Sequence, residues 1–444
     1  MTIALHQIPM ARGLPVLGHL RDFRLRRHEL FLRASRECGD VAQLRVGPRR
    51  LVLINAPALI QSVLVEQAGA FEKSPMLRTL SRQVLGNGLL TSENDFHKRQ
   101  RRLIAPAFQH RRIAAYADVM AAYTERLQQE WADGATIDIA REMMRLTLWI
   151  VGKTLFDADV LGEAEELGAA LSETMHAFSA QLTSPIPPTW PLPRNRRANA
   201  ATERLNATVY RMIADRRASG GDRGDLLSML LAAQDEDGSF MTDQQVRDES
   251  MTLFLAGHET TANALAWTWY LLSQHPRVAE RLRAEVDAAL GGRTPEMADL
   301  PKLPYTLQVL KEAMRLYPPA FVFGRQATRP VRLGDYDLPA GTVVMISAFA
   351  LHRRPDFYPD PERFNPDRFT PEAEARLPRY AYLPFGGGPR ICIGNHFAMM
   401  EGHLVLAALA QRVSLELLPG QRIDPEPLVT LRPRGGVQMR VTRR

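Results

Sequence analysis

Apolar residues recur at three- and four-residue spacing from about Ala56 to Leu290. That period belongs to helices that bury one face. The longest run, Asp243 to Gln274, reads as one helix of about 32 residues, roughly 48 Å at 1.5 Å per residue. Period-two patterns are confined to two places. Val41 to Asn55 (VAQLRVGPRRLVLIN) holds two β-type runs around Gly47-Pro48 and predicts a hairpin. Val331 to Phe349 predicts short strands separated by Gly334 and Gly341, after the helix that holds Glu312. Pro355 to Pro371 reads as loop. A last helix is expected from Asn395 to Arg412, followed by short strands.

Proline and glycine punctuate this pattern. Residues 1–20 form a turn-rich arm with Pro9, Gly13, Pro15 and Gly18. Thr183 to Pro193 (TSPIPPTWPLP) carries five prolines, so it is an ordered loop or a lid and not a helix. Gly220 to Gly224 marks another turn. No internal repeat or low-complexity linker interrupts the chain. The expectation is a single domain over 1–444, mainly α with a small β subdomain.

Composition narrows the class. Hydrophobic residues make up 45% and charged residues 24% of 444 residues, enough apolar material for a large core without staples. The net charge of +7 comes with no recognisable nucleic-acid module, so no nucleic-acid partner is expected. The first residues lack a charged start followed by a long apolar run, and no stretch reaches the roughly 20 apolar residues of a membrane span. A cytoplasmic protein with no membrane anchor is therefore expected. Only Cys38 and Cys392 are present, without a CxxC, which fits a reducing compartment.

The chemistry gathers at Cys392. Phe385 to Gly394 reads FGGGPRICIG. Consecutive glycines allow a tight turn and close approach to a flat ligand. The helix starting behind Cys392 offers N–H groups and positive dipole, which favour a thiolate, and Arg390 adds a nearby charge. A thiolate with no second Cys or His ligand nearby suits an iron held on its other sides by a macrocycle. A buried, inert cysteine is the plain alternative. A phosphate loop is the other, but no GKS or GKT follows.

This segment resembles the haem-binding signature of the cytochrome P450 family at Phe385, Gly388, Arg390, Cys392 and Gly394. The resemblance runs over nearly the whole chain. It implies the cytochrome P450 fold, with haem b between the long central helix and the loop of Cys392, the iron ligand. It also implies a monooxygenase that activates O2 with two external electrons and hydroxylates or epoxidises a hydrophobic small molecule.

The long helix supports that chemistry. Ala256-Gly257-His258-Glu259-Thr260-Thr261 lies at its middle, where Gly and Thr are poor helix formers. The Thr260 hydroxyl can bond back to the Ala256 carbonyl, and Gly257 removes bulk, which would open a polar notch. Glu259 and Thr260 are the acid and alcohol of a proton relay; a helix irregularity with a solvated Glu is the alternative. The resemblance assigns them to oxygen activation. His258 reads as structural or exposed.

Glu312 and Arg315 share a helix face, which in most proteins is a solvated pair. The family joins such a pair with an arginine from a downstream loop, and Pro361-Glu362-Arg363-Phe364 points to Arg363. Haem propionates need cations when buried. The resemblance places His97, Arg101, Arg325 and Arg390 there. Lys98, Arg99 and Arg102 read as a solvated face or part of a basic docking patch.

The family implies a ferredoxin and ferredoxin reductase as separate electron donors, no fused reductase, and a monomer. The substrate pocket would draw on Ser74 to Leu90, Leu253 to Thr260, Ala320 to Gly324, the segment before the Pro-rich lid and the turn near Arg432. Met76, Leu77, Phe321, Val322 and Phe323 make it apolar, fitting a fatty acid, terpenoid, steroid or polyketide-like molecule. Arg49, Arg50 or Arg78 could pair with a carboxylate, or simply be surface residues. A peroxide-driven peroxygenase or haem isomerase, which would not need Glu259 and Thr260, and a non-enzymatic haem-thiolate sensor are the alternatives.

Overall fold

The hairpin expected at 41–55 forms β1 (Val41–Val46) and β2 (Arg49–Ile54), antiparallel with Val46 opposite Arg49. A computed structural model gives the structure and describes residues 3–157, 164–181, 184, 190, 192–221, 223–235 and 238–444. Most of the proline-rich segment 183–193 lies outside the described residues.

The hairpin forms one side of a five-stranded sheet with β3 (Phe71–Lys73), β4 (Phe323–Ala327) and β5 (Val343–Ile346), in spatial order β1-β2-β5-β4-β3. The β2–β5 pair is parallel, and the β4–β5 and β3–β4 pairs are antiparallel. Residues 331–349 do form short strands, but Val331–Leu333 and Tyr336–Leu338 leave this sheet and pair with each other and with Ile3–Ala4. Strands β3 and β4 were not expected. FEK and FGRQA carry charged and polar residues where a buried alternation would be apolar.

Five helices position the site. They are α1 (Asn94–Ile104), α2 (Ile139–Phe156), α3 (Asp243–Gln274), α4 (Pro304–Leu316) and α5 (Asn395–Arg412). Helices α3 and α5 keep the bounds that periodicity predicts. A capping box starts α3: the Gln245 N–H donates to Thr242 Oγ1 at 3.2 Å, and the Thr242 N–H donates to Gln245 Oε1 at 2.8 Å. Pro276 follows its end at His275, as helix geometry before proline requires.

Most of α3 is buried around its circumference, which marks a central helix and not an amphipathic surface one. Trp267 stacks on Tyr317 at 3.9 Å and 7°, and its Nε1 donates to the Leu431 carbonyl at 2.9 Å. Such an aromatic pair adds about 0.5–1.5 kcal/mol beyond its buried area. It also ties α3 to the end of α4 and to the hairpin β6 (Pro425–Pro427) and β7 (Leu431–Pro433).

Candidate functional site

The Cys392 loop is closed by its own backbone. The Cys392 N–H donates to the Phe385 carbonyl at 3.0 Å, and Gly394 caps α5 directly behind it. Gly388 is required here: its φ is +67°, and a Cβ would come within 1.9 Å of the Leu64 carbonyl oxygen. The close approach expected for a flat ligand is thus, at this glycine, an approach to the chain itself. Phe385 packs against the main core. Gly394 meets Phe108 only at ordinary contact distance.

Burial among protein pushes the Cys392 thiol up, while the Gly394 N–H and Arg101 draw it down. The residue nonetheless keeps an exposed surface. Arg390 is not the cation that acts on Cys392. Its Nη2 is paired with Glu93, whereas Arg101 Nη1 donates to the neighbouring Ile391 carbonyl at 2.8 Å.

Five basic residues meet beside this loop. His97, on α1, is pushed down to about 3 by burial first, then by Lys73, Arg390, Arg101 and Arg325, so it is a neutral ring. Lys73 and Arg325 stand directly opposite in the β3–β4 register. Like charges in that position repel. Burial lowers Lys73 to about 7 and Arg325 to about 10. Lys73 Nζ donates to the Leu89 and Ser92 carbonyls at 2.9 and 2.7 Å. Arg390 Nη1 is buried with no hydrogen-bond partner. Against Lys73, Arg101, Arg325 and Arg390 stand Glu93, which accepts from the Lys73 backbone N–H at 2.7 Å, and Glu249, whose carboxyl burial raises to about 8. A buried excess of cations needs anions. The two carboxylates of a haem meet that need, so these residues fit the cofactor. Lys73 and Glu93 went unnoticed in sequence.

On α3, Thr260 Oγ1 donates to the Ala256 carbonyl at 2.8 Å, as its position predicts. Glu259 is buried, and its Oε1 accepts from Thr430 Oγ1 at 2.6 Å. Burial raises its carboxyl pKa, against the lowering effects of Thr430, Arg432 and His176. Gly257 does not open a notch: a Cβ there would sit 3.0 Å from Val151 of α2, so this glycine allows two helices to pack closely. His258 is structural and buried, not exposed, with Nδ1 2.9 Å from the Phe254 carbonyl. Loop 86–91 clasps α3, with Asn87 N–H donating to Asp248 and Leu89 N–H to Glu249, each at 2.8 Å.

Behind the Cys392 loop, Glu312 and Arg315 are fully buried and joined twice, at 2.6 and 2.9 Å. The expected third arginine is corrected. Arg363 is exposed and offers its backbone carbonyl to Arg315 at 3.3 Å. The guanidinium that reaches Glu312 is Arg368, at 3.5 Å, from the second Pro-x-Arg-Phe run, Pro366 to Phe369. Arg99 and Arg102 both pair with Asp235, which takes them out of the bare solvated face, whereas Lys98 and its partner Asp95 are both exposed and stay on it. Phe321, expected in the pocket, is core, clustered with Phe349 and Leu431.

Comparison with known proteins settles the family. The cytochrome P450 model matches residues 8–439. The chain is a cytochrome P450.

This P450 is 43% identical to cyclooctatin synthase of Streptomyces melanosporofaciens over 94% of its length and 92% of that protein's. It is 39% identical to cyclooctat-9-en-7-ol 5-monooxygenase of the same organism, over 92% and 89%. Its fold superposes on the retinoic-acid-bound cyanobacterial CYP120A1 with a TM-score of 0.88 and 26% identity, covering 98% and 99% of the two chains. It is a haem b monooxygenase that takes electrons from redox partners and oxidises a hydrophobic small molecule. No helix among the described residues is long and apolar enough to cross a membrane.

Proposed function

We propose that Cys392 is the thiolate ligand of the haem iron in a single P450 domain spanning 1–444, and that this P450 hydroxylates a neutral, largely hydrocarbon terpenoid. The observation that carries the cofactor assignment is the buried cation cluster beside Cys392, above all Lys73 opposite Arg325. The bound haem supplies the reductive activation of dioxygen. Every other role belongs to the chain. Arg101, Arg325 and Arg390 would bind the propionates as cations and His97 as a neutral donor, beside Lys73, whose Nζ is held by the Leu89 and Ser92 carbonyls. Gly394 N–H and Arg101 offset the burial that raises the thiol. Phe385 and Gly388 hold the loop shape.

Glu259 and Thr260 are the proton-handling pair. Thr260 spends its hydroxyl proton on the Ala256 carbonyl, so its oxygen is left to accept. Glu259 is buried with its pKa raised, as a proton donor needs.

Two observations support a neutral substrate. The Streptomyces relatives act on terpenoids, and one named substrate is an alkene alcohol. Of the three candidate partners for a carboxylate, Arg49 and Arg50 are exposed, and Arg78 is engaged by Glu72 at 2.6 Å and Gln326 at 3.0 Å. Electrons come from a ferredoxin and its reductase, and the chain acts as a cytoplasmic monomer. The test is reconstitution with a ferredoxin, its reductase, NADPH and isotopically labelled dioxygen on a panel of cyclic diterpenes, sesquiterpenes and fatty acids. The expected result is one labelled oxygen in a terpene product. Turnover confined to fatty acids would overturn the substrate class. Turnover with peroxide alone, and none with electron donors, would overturn the monooxygenase reading.

A further inference from the structure

Glu259 is held from outside its own helix. Thr430 lies at the turn of the β6–β7 hairpin and donates its hydroxyl proton to Glu259 Oε1. Asn263, one turn along α3, donates from Nδ2 to the same Thr430 oxygen at 3.1 Å. All three side chains are buried. A hydroxyl has one proton. The Asn263 amide is itself a donor, and the Thr430 proton is directed to Glu259 Oε1. While it is, Oε1 is an acceptor, and a proton on Glu259 is accommodated on Oε2.

The hairpin is fixed to α3 and cannot drift without loss. Trp267 Nε1 donates to the Leu431 carbonyl, and the Leu431 N–H donates to the Pro319 carbonyl, both at 2.9 Å. The next strand carries Arg432, tied to Glu426 at 2.8 Å, to Ser172 at 3.3 Å and to His176. The groups facing Glu259 are thus the Arg432 guanidinium on the hairpin and the His176 ring on the helix Ala164–Gln181.

We propose that Thr430 is the positioning residue of proton delivery, holding Glu259 so that Oε2 is the oxygen that carries and releases the proton. The step is a balanced transfer. The Oε2–H bond breaks as a water molecule takes the proton, and the carboxylate takes one back from another water, so the acid is regenerated. The inference rests on the monooxygenase reading for its role in turnover, but not for its geometry.

Three variants test it: Thr430→Val, which keeps shape and loses the hydroxyl, Thr430→Ser, which keeps the hydroxyl, and Glu259→Gln, whose missing infrared carboxyl band identifies Glu259. Removing a hydrogen bond to the charged form raises a carboxyl pKa. In Thr430→Val the Glu259 band should titrate about one unit higher than in the wild type. Thr430→Ser should titrate like the wild type. In turnover, Thr430→Val should divert electrons to peroxide, lowering product per NADPH several-fold, and Thr430→Ser should restore it. The reduced carbon monoxide spectrum should be the same in all three, which controls for folding. A wild-type titration and wild-type coupling in Thr430→Val would overturn the proposal. A wild type that makes no product from dioxygen would end the monooxygenase reading, and the infrared titration would still decide the role of Thr430.

Discussion

Two buried glutamates on helices have opposite surroundings. Glu312 accepts from Arg315 at 2.6 and 2.9 Å and from the Asn365 N–H at 2.9 Å, with Arg368 at 3.5 Å. Its charge is matched by cations and a backbone donor. Glu259 has one neutral donor, Thr430, and feels Arg432 and His176 only through space. The first environment fixes a loop. The second leaves an acid able to hold a proton and give it up. Side-chain type is the same, so the role lies in what surrounds the carboxyl.

Removing Glu312 should have the largest effect. Glu312→Ala leaves Arg315 buried without its partner, which costs about 3–5 kcal/mol. Denaturant unfolding of the haem-loaded protein should show that loss. Glu259→Gln should be nearly neutral in the same experiment, yet lower dioxygen-dependent turnover at least about 100-fold. If both variants lose stability equally, the contrast between the two glutamates is wrong.

The third arginine gives a smaller effect. Arg368→Ala removes a guanidinium next to buried Glu312 and should cost about 1–3 kcal/mol. Arg363→Ala, on an exposed side chain, should stay within about 0.5 kcal/mol. The reverse order would restore the assignment that the first Pro-x-Arg-Phe run suggests.

A third buried glutamate sharpens the comparison through pH. Glu401 of α5 is fully buried, and burial, offset in part by Thr261, raises its pKa from 4.5 to about 8. The folded protein keeps this proton where the unfolded chain releases it, so its contribution to stability falls as pH rises from about 4.5 to 8. Glu401→Gln should flatten that slope and stabilise the protein at the alkaline end. Unfolding midpoints measured across the window would check it, and an unchanged slope would place the titrating group elsewhere.

These contrasts mark what sequence could carry. Helices α3 and α5 and the β1–β2 hairpin were legible because their apolar periods are long and their ends are punctuated. The Cys392 loop was legible because its residues are contiguous. Lys73 was not, since it sits in a three-residue strand and gains meaning only opposite Arg325, far along the chain. Thr430 was missed for the same reason. Arg363 and Arg368 sit in near-identical runs, and only the turn at Pro366–Phe369 decides which side chain faces Glu312. Gly257 was read as space for ligand chemistry, although its open side is filled by Val151.

The central claim is the thiolate, and the most direct measurement is the reduced carbon monoxide spectrum of wild type and Cys392→His, both haem-loaded. Thiolate ligation predicts a Soret band at about 450 nm in the wild type and its loss in the variant, with folding intact. A folded, haem-loaded wild type without that band, or a variant that retains it, would contradict the assignment of Cys392.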